Sequence, residues 1–341
     1  MHFCVTLLGW FSLVTAVVAY SYGHEQGIIG GGGGGVTTAT TSRHNLTLNF
    51  DDLPTNASGI GYDPSTNSTP LQCGDLYFQS FTVVDVAKAL KDLPDPVDVL
   101  CATSAPNALF GHRRSAGRHH PYPRLSVHPL TDPSLPRDPN VTFDMRSMSV
   151  SPTGRVPPDA LVMIWLNLLK LPPDESFSGG RGGGGGKSPL PPFPELSRGA
   201  EIWPQGRVYQ LVGIFGPGRH PNLRIDWDSM RRQIPHMGTK VDTFELYGQL
   251  FTREGPSEPY RPRGDWELCL DDVAVVIVRK TGSQNPDDQA EDSDGDDDDD
   301  GDSPAGRSFE PPTRMFVFAG EDGSAVYDQA RGEQLMKELG L

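Results

Sequence analysis

Thr243-Phe244-Glu245-Leu246-Tyr247-Gly248-Gln249-Leu250-Phe251 decides the fold class. Phe244, Leu246 and Leu250 fall on one side of a two-residue repeat; Glu245, Tyr247 and Gln249 fall on the other. That period belongs to a half-buried β-strand, because successive side chains of an extended chain point to opposite faces. Outward from this stretch, similar β-rich runs occupy 45–50, 76–84, 97–102, 141–150, 160–169, 207–215, 223–227 and 266–278, separated by Pro, Gly, Asn and Asp. Helical spacing is confined to a turn at 86–93 and a loose pattern at 324–339. About nine short strands with Pro/Gly turns predict an all-β protein, a jelly-roll-type antiparallel β-sandwich.

The sandwich is read as one domain over 44–280, ample for a single core. Residues 3–19 are almost wholly apolar or small, the length of a signal h-region and short for a membrane span. Val17 and Ala19 stand at the −3 and −1 positions of a small-residue cleavage site, so 1–19 reads as a signal peptide, with an uncleaved anchor as the alternative. No later run could span a bilayer; even 160–171 stops at Pro172. Residues 20–43, with six glycines at 30–35 and a Thr-rich run, read as a disordered linker. Insertions near 111–128 (rich in Arg and His) and 172–198 (five glycines between proline clusters) read as disordered surface loops. An acidic tract spans 281–312, and a tail at 313–341 carries a strand near 315–319 and an apolar pattern on Val326, Ala330, Leu335, Met336 and Leu339 broken by Gly332.

Four sequons, at Asn45, Asn56, Asn67 and Asn140, agree with export to an extracellular or cell-wall location. Without Cys4 a mature chain keeps Cys73, Cys101 and Cys269, which allow one intrachain bridge in any of three pairings and leave one thiol over. The net charge is −15, but 287–302 holds eleven acidic residues and no Lys or Arg, leaving −4 for the remainder. No basic stripe outweighs that charge, which argues against a nucleic-acid partner.

Most chemical motifs fail. The run 182–186 followed by Lys187-Ser188 lacks the first glycine of a phosphate loop, which would fall at Arg181. Asp296, Asp298, Asp300 and Gly301 match half an EF-hand loop, yet its twelfth position is Arg307 and Pro304 intervenes. No Gly-x-Ser-x-Gly elbow or His-Glu-x-x-His pair occurs. His112, His119, His120 and His128 lie in an Arg-rich loop that offers little of the support a metal site needs.

Three short segments carry a likeness. They are Leu48-Asn49-Phe50-Asp51-Asp52-Leu53-Pro54, Ser104-Ala105-Pro106-Asn107-Ala108-Leu109, and Trp266-Glu267-Leu268-Cys269-Leu270-Asp271-Asp272-Val273-Ala274-Val275. With 141–148 between them, they resemble jelly-roll, galactose-binding-like and carbohydrate-binding-module-like domains common among fungal secreted proteins of unassigned function. The resemblance covers roughly 44–279 and implies a first strand ending near the acidic pair of the last. Related modules often keep a structural Ca²⁺ at such a place, which makes Asp51, Asp52, Asp271 and Asp272 candidate ligands. The bland alternative is that these aspartates terminate strands and face water.

Alternation also proposes a ligand face. Glu245, Tyr247 and Gln249 oppose Phe244, Leu246 and Leu250; Arg146 and Asp144 oppose Phe143 and Met145. Trp165 and Asn167 oppose Val162, Ile164 and Leu166; Arg207 and Tyr209 oppose Val208, Val212 and Ile214, with Gln210 breaking the pattern. Aromatic rings beside planar polar groups suit a sugar, so Arg146, Asn167, Tyr209, Glu245, Tyr247 and Gln249 form the candidate glycan site. An ordinary solvated sheet carries Tyr and Arg too. The expected role is a non-catalytic binder of extracellular polysaccharide or cell-wall glycan. One alternative is a polysaccharide lyase or glycoside hydrolase pairing Glu245 with Glu201, Asp226 or Asp228. Another is a structural or effector protein that binds a second protein. Ligand identity and oligomeric state stay open.

Overall fold

The computed structural model describes residues 4–5, 40–63, 71–89, 100–111, 123–128, 138, 140–169, 209–281, 313–320 and 322–341. Strands are β1 Cys4–Val5, β2 Thr40–Leu48, β3 Leu71–Cys73, β4 Leu76–Gln79, β5 Phe81–Asp85, β6 Asn107–Gly111, β7 Arg124–Ser126 and β8 Val141–Pro152. They continue with β9 Ala160–Leu169, β10 Tyr209–Phe215, β11 Leu223–Asp226, β12 Thr243–Thr252, β13 Arg261–Trp266, β14 Leu268–Thr281, β15 Thr313–Ala319 and β16 Ala325–Tyr327. Helices are α1 Val86–Ala89, α2 Trp227–Met230 and α3 Gln329–Leu339.

Two sheets form an all-β sandwich. The larger runs β1-β3-β4-β7-β12-β9-β10-β15-β16, with β13 added to β12; the smaller runs β11-β8-β14-β6-β5, with β2 added to β14. Pairing is antiparallel except between β10 and β15, which run parallel. The main core lies between the sheets. Phe78, Leu125, Ile164, Leu166, Leu211, Phe244 and Leu246 of the larger meet Phe81, Leu109, Phe143, Met145, Leu270, Val275 and Ile277 of the smaller. β9 is buried along its whole length, which explains its nearly continuous apolar sequence: a central strand covered on both faces has no solvent side to mark.

The second cover is the C-terminal tail. β15 extends the larger sheet, and α3 places Met336, Leu335 and Leu339 on a separate cluster outside it, formed by Leu161, Met163, Trp165, Val212, Ile214, Tyr247, Phe251, Phe316 and Phe318. Asp328 caps α3 through Arg331 N, and Gly340 ends it in a left-handed conformation. Gly332, read from sequence as a break in the helix, is the point of closest approach: a Cβ there would meet the Phe316 ring at 2.0 Å. The Arg331 guanidinium lies 4.0 Å over the Phe318 ring.

Several sequence boundaries move. β2 starts at Thr40, four residues inside the stretch read as linker. The 76–84 run divides at Ser80, whose φ is +61°. Of 97–102, the described part is a tight turn at Leu100–Cys101 and no strand. Arg124–Ser126, inside the supposed insertion, is a buried strand between β4 and β12. Strands at 71–73, 107–111 and 261–266 had no place in the sequence reading. The insertion at 172–198, Asn67, Glu201 and Trp203 lie outside the described residues.

Candidate functional site

A row of polar side chains crosses the outer face of the larger sheet. Gln79 on β4 stands opposite Arg124 on β7, and Arg124 opposite Glu245 on β12. Glu245 stands opposite Asn167 on β9, Asn167 opposite Gln210 on β10, and Gln210 opposite Arg314 on β15. Residues paired across strands share a face, so six neighbouring strands place these six groups in one line. All are buried but Arg314, which is partly exposed. Arg124 and Glu245 form an ion pair, and Gln210 Nε2 donates to Asn167 Oδ1 at 2.9 Å. Gln79 has neither amide atom hydrogen-bonded, and Gln210 Oε1 has no donor. Each such buried orphan costs about 1–3 kcal/mol.

The next row on the same face is apolar: Tyr247, Trp165, Val212 and Phe316 are successive cross-strand partners. The Trp165 and Tyr247 rings stack at 5.8 Å and 18°. Both are buried in the cluster beneath α3, so they are packing residues and not an open platform. The Trp165 indole Nε1, next to the polar row, is buried without an acceptor.

The sequence-derived glycan set therefore splits. Asn167, Glu245, Tyr247 and Gln249 share the outer face of the larger sheet. Tyr209 points the other way and packs against the inter-sheet core; Val212 and Ile214, read as its apolar opposites, lie outside. Arg146 belongs to the smaller sheet, where its guanidinium holds Asp228 at 2.7 Å. Four row members were missed. Gln79 sat in an undivided run, Arg124 in a supposed loop, Gln210 was taken as a flaw in alternation, and Arg314 lay in an unassigned tail. The readable signal was a lone amide at an outward position of an apolar strand, shared by Asn167 and Gln210.

Of the carboxylates proposed as hydrolytic partners of Glu245, Asp226 and Asp228 do not join this row. The Ser229 hydroxyl holds the Asp226 carboxyl below its ordinary range while Asp226 caps α2. Asp228 is engaged by Arg146 and Arg231.

The three motif segments do meet, on the smaller sheet. Asn107 Nδ2 donates to the carbonyls of Phe50, Asp51 and Leu53 at 2.9, 3.2 and 3.0 Å, and Asp51 Oδ1 accepts from Asn107 N at 3.1 Å. Asp271 Oδ2 accepts from Thr103 N at 2.7 Å and Ser104 N at 2.9 Å, and its Oδ1 accepts from Asp272 N at 2.8 Å. Asp272 has φ +49° at a register shift in β14, a bulge that carries the inward positions from Leu268 and Leu270 to Val273, Val275 and Ile277. Burial pushes the Asp271 carboxyl up to about 7, against the pull of the Ser104 N–H and with help from the Asp272 charge. Burial also raises Asp51, where the charges of Asp272 and Asp52 add to it. Asp52 is exposed. Asp271 is thus a buried clasp for the 103–107 loop. Among the described residues no three His, Cys, Asp or Glu side chains gather as a metal site.

The same loop is tied to β14 by a Cys101–Cys269 disulfide, which selects one of the three pairings. Cys73 is also disulfide-bonded, and among the described residues of the chain with Cys4 present no cysteine is free. In the β1–β3 bridge the register partner of Cys73 is Cys4. Asn45 and Asn56 are exposed and Asn140 is partly exposed.

Comparison with protein-family models, with curated proteins and with solved structures finds no match to this chain, and so lends no relative to the galactose-binding-like resemblance.

Proposed function

We propose that the protein is an exported, N-glycosylated and non-catalytic β-sandwich that binds an extracellular glycan through the outer face of its larger sheet. The observation that carries this reading is the buried polar row with its unused hydrogen-bonding capacity, above all the Gln79 amide. An amide offers two donors and an acceptor with two lone pairs, the complement of a sugar hydroxyl that both gives and takes. Arg124, Glu245, Asn167 and Gln210 continue the line with further planar polar groups. No helix among the described residues is long and apolar enough to cross a membrane.

The test is calorimetric titration of the full glycosylated chain with a panel of soluble cell-wall polysaccharides, alongside Gln79→Leu and Asn167→Leu. Binding that weakens about tenfold or more in each variant, a loss of about 1.4 kcal/mol, supports the reading. No binding to any polysaccharide, or binding that ignores both substitutions, overturns it.

Calcium at Asp51, Asp52, Asp271 and Asp272 belongs to the same proposal. Its support is the mutual repulsion of Asp51 and Asp272 and the buried Asn107 Oδ1, which lacks a donor. Because Asp271 already accepts three backbone N–H groups, the remaining aspartates and carbonyl oxygens would do most of the holding. Added EDTA should lower the melting temperature; an unchanged melt refutes a structural cation.

A further inference from the structure

We infer that the Arg314 end of the polar row binds the carboxylate of an acidic sugar, a hexuronate residue within an oligosaccharide. The inference rests on the glycan reading of this face and adds charge to it. Arg314 lies directly opposite Gln210 and is the one partly exposed member of the row. Among the described residues no carboxylate pairs with its guanidinium; burial holds its pKa below the ordinary arginine value, against the pull of the Tyr247 phenol. Several other arginines face a carboxylate: Arg43 faces Asp144, Arg124 faces Glu245, Arg146 and Arg231 face Asp228, and Arg279 faces Asp75. A half-desolvated cation without a counter-ion is costly, and an anion arriving from solution removes that cost.

The surroundings specify more than a charge. Gln210 Oε1 is a buried acceptor lacking a donor, and Trp165 Nε1 is a buried donor lacking an acceptor. Trp165 is two residues from Asn167 on the same face of β9, opposite Val212, so both orphans flank the arginine's end of the row. The stacked Trp165 and Tyr247 rings beside them are packed beneath α3 and hold this end of the row in place. A fixed cation, one acceptor and one donor complement a pyranose that carries one carboxylate and several hydroxyls. Guanidinium binds carboxylate through two parallel hydrogen bonds, which fixes orientation as well as charge. The chain's net charge of −15 opposes long polyanions and favours a short uronate segment.

Calorimetry with tetragalacturonate, its fully methyl-esterified form and monomeric galacturonate or acetate, on the full glycosylated chain, separates the possibilities. The wild-type chain should bind the acid at least about tenfold more tightly than the ester. Arg314→Gln should erase that preference and leave ester binding in place, and Arg314→Lys should restore only part of it. A thermal melt establishes that each variant is folded. Equal affinity for acid and ester refutes the carboxylate site while leaving glycan binding intact. Acetate binding as tightly as the oligomer refutes the sugar component, and monomeric galacturonate binding as tightly refutes the oligosaccharide. Failure of both acid and ester to bind refutes this inference and, if every polysaccharide also fails, the broader reading.

Discussion

Raising the pH from about 4 to about 8 should destabilise the protein through Asp271, and Asp271→Asn should remove that sensitivity. The carboxyl is wholly buried on β14 and accepts N–H groups from Thr103, Ser104 and Asp272. Burial and donation oppose one another, since burial favours the neutral acid and the N–H groups favour the carboxylate. Burial prevails, pushing the group up to about 7 from an unfolded value of 3.8. The folded protein therefore holds this proton more tightly than the unfolded chain does. Its contribution to stability is complete below about pH 4 and is lost as pH rises through about 7. Three pH units at about 1.36 kcal/mol each make that loss about 4 kcal/mol, a large fraction of a domain's net stability. Urea unfolding of wild type and variant across this range reads the effect as a difference, which cancels carboxyls common to both. The Asn side chain keeps an oxygen for Thr103 and Ser104 but not for Asp272, a pH-independent offset of about 1–3 kcal/mol. The variant should gain on wild type steadily as pH rises. A flat difference would refute the reasoning, because it would mean that three N–H groups outweigh burial and keep Asp271 ionised.

Gly332→Ala should lower the melting temperature, since the new methyl meets the Phe316 ring at 2.0 Å and overpacking costs about 1–3 kcal/mol; an unchanged melt would show that α3 does not dock on β15. Replacing both Cys101 and Cys269 by Ala opens a loop of sequence separation 168 and should cost about 2–5 kcal/mol in denaturant unfolding. Gln79→Leu should leave stability unchanged or raise it by about 1 kcal/mol, because the leucine abandons no hydrogen bond; a loss above that would reveal a partner for the amide. N-terminal sequencing of secreted material should begin at Tyr20. Retention of Cys4, the register partner of Cys73, would instead show that the apolar N-terminus stays with the fold.

The sandwich was legible where one face of a strand meets solvent or a polar row, as in Phe244, Leu246 and their opposites. It was illegible in short strands. Leu71–Cys73 and Arg124–Ser126 are three residues each, too few for a period to show, and exist because longer neighbours supply the pairing. β10 misled for another reason. Both of its faces are covered, so Tyr209 on the core side and Val212 on the outer side reverse the usual marks. A polar residue in such a strand is informative in inverse proportion to its company, and Gln210 was the marker and not the flaw.

The aromatic residues illustrate what periodicity leaves out. Alternation places Trp165 and Tyr247 correctly on the outer side of the larger sheet, beside Asn167 and Glu245. It says nothing about what lies over them, because that cover comes from the far end of the chain. Leu335, Met336 and Leu339 have no apolar face of their own to complete until β15 pairs in parallel with β10 and brings α3 over the sheet. Their loose pattern and the rings' exposure in the sequence reading are two halves of one interface. With the rings committed to packing, the proposed recognition rests on the polar row beside them and not on stacking. Within that row, Arg124 and Glu245 neutralise each other, and Asn167 and Gln210 share a hydrogen bond. The capacity left for the proposed ligand is therefore the Gln79 amide at one end, and Gln210 Oε1 with Arg314 at the other. Of these only Arg314 is partly open to solvent, so the proposed binding would begin there.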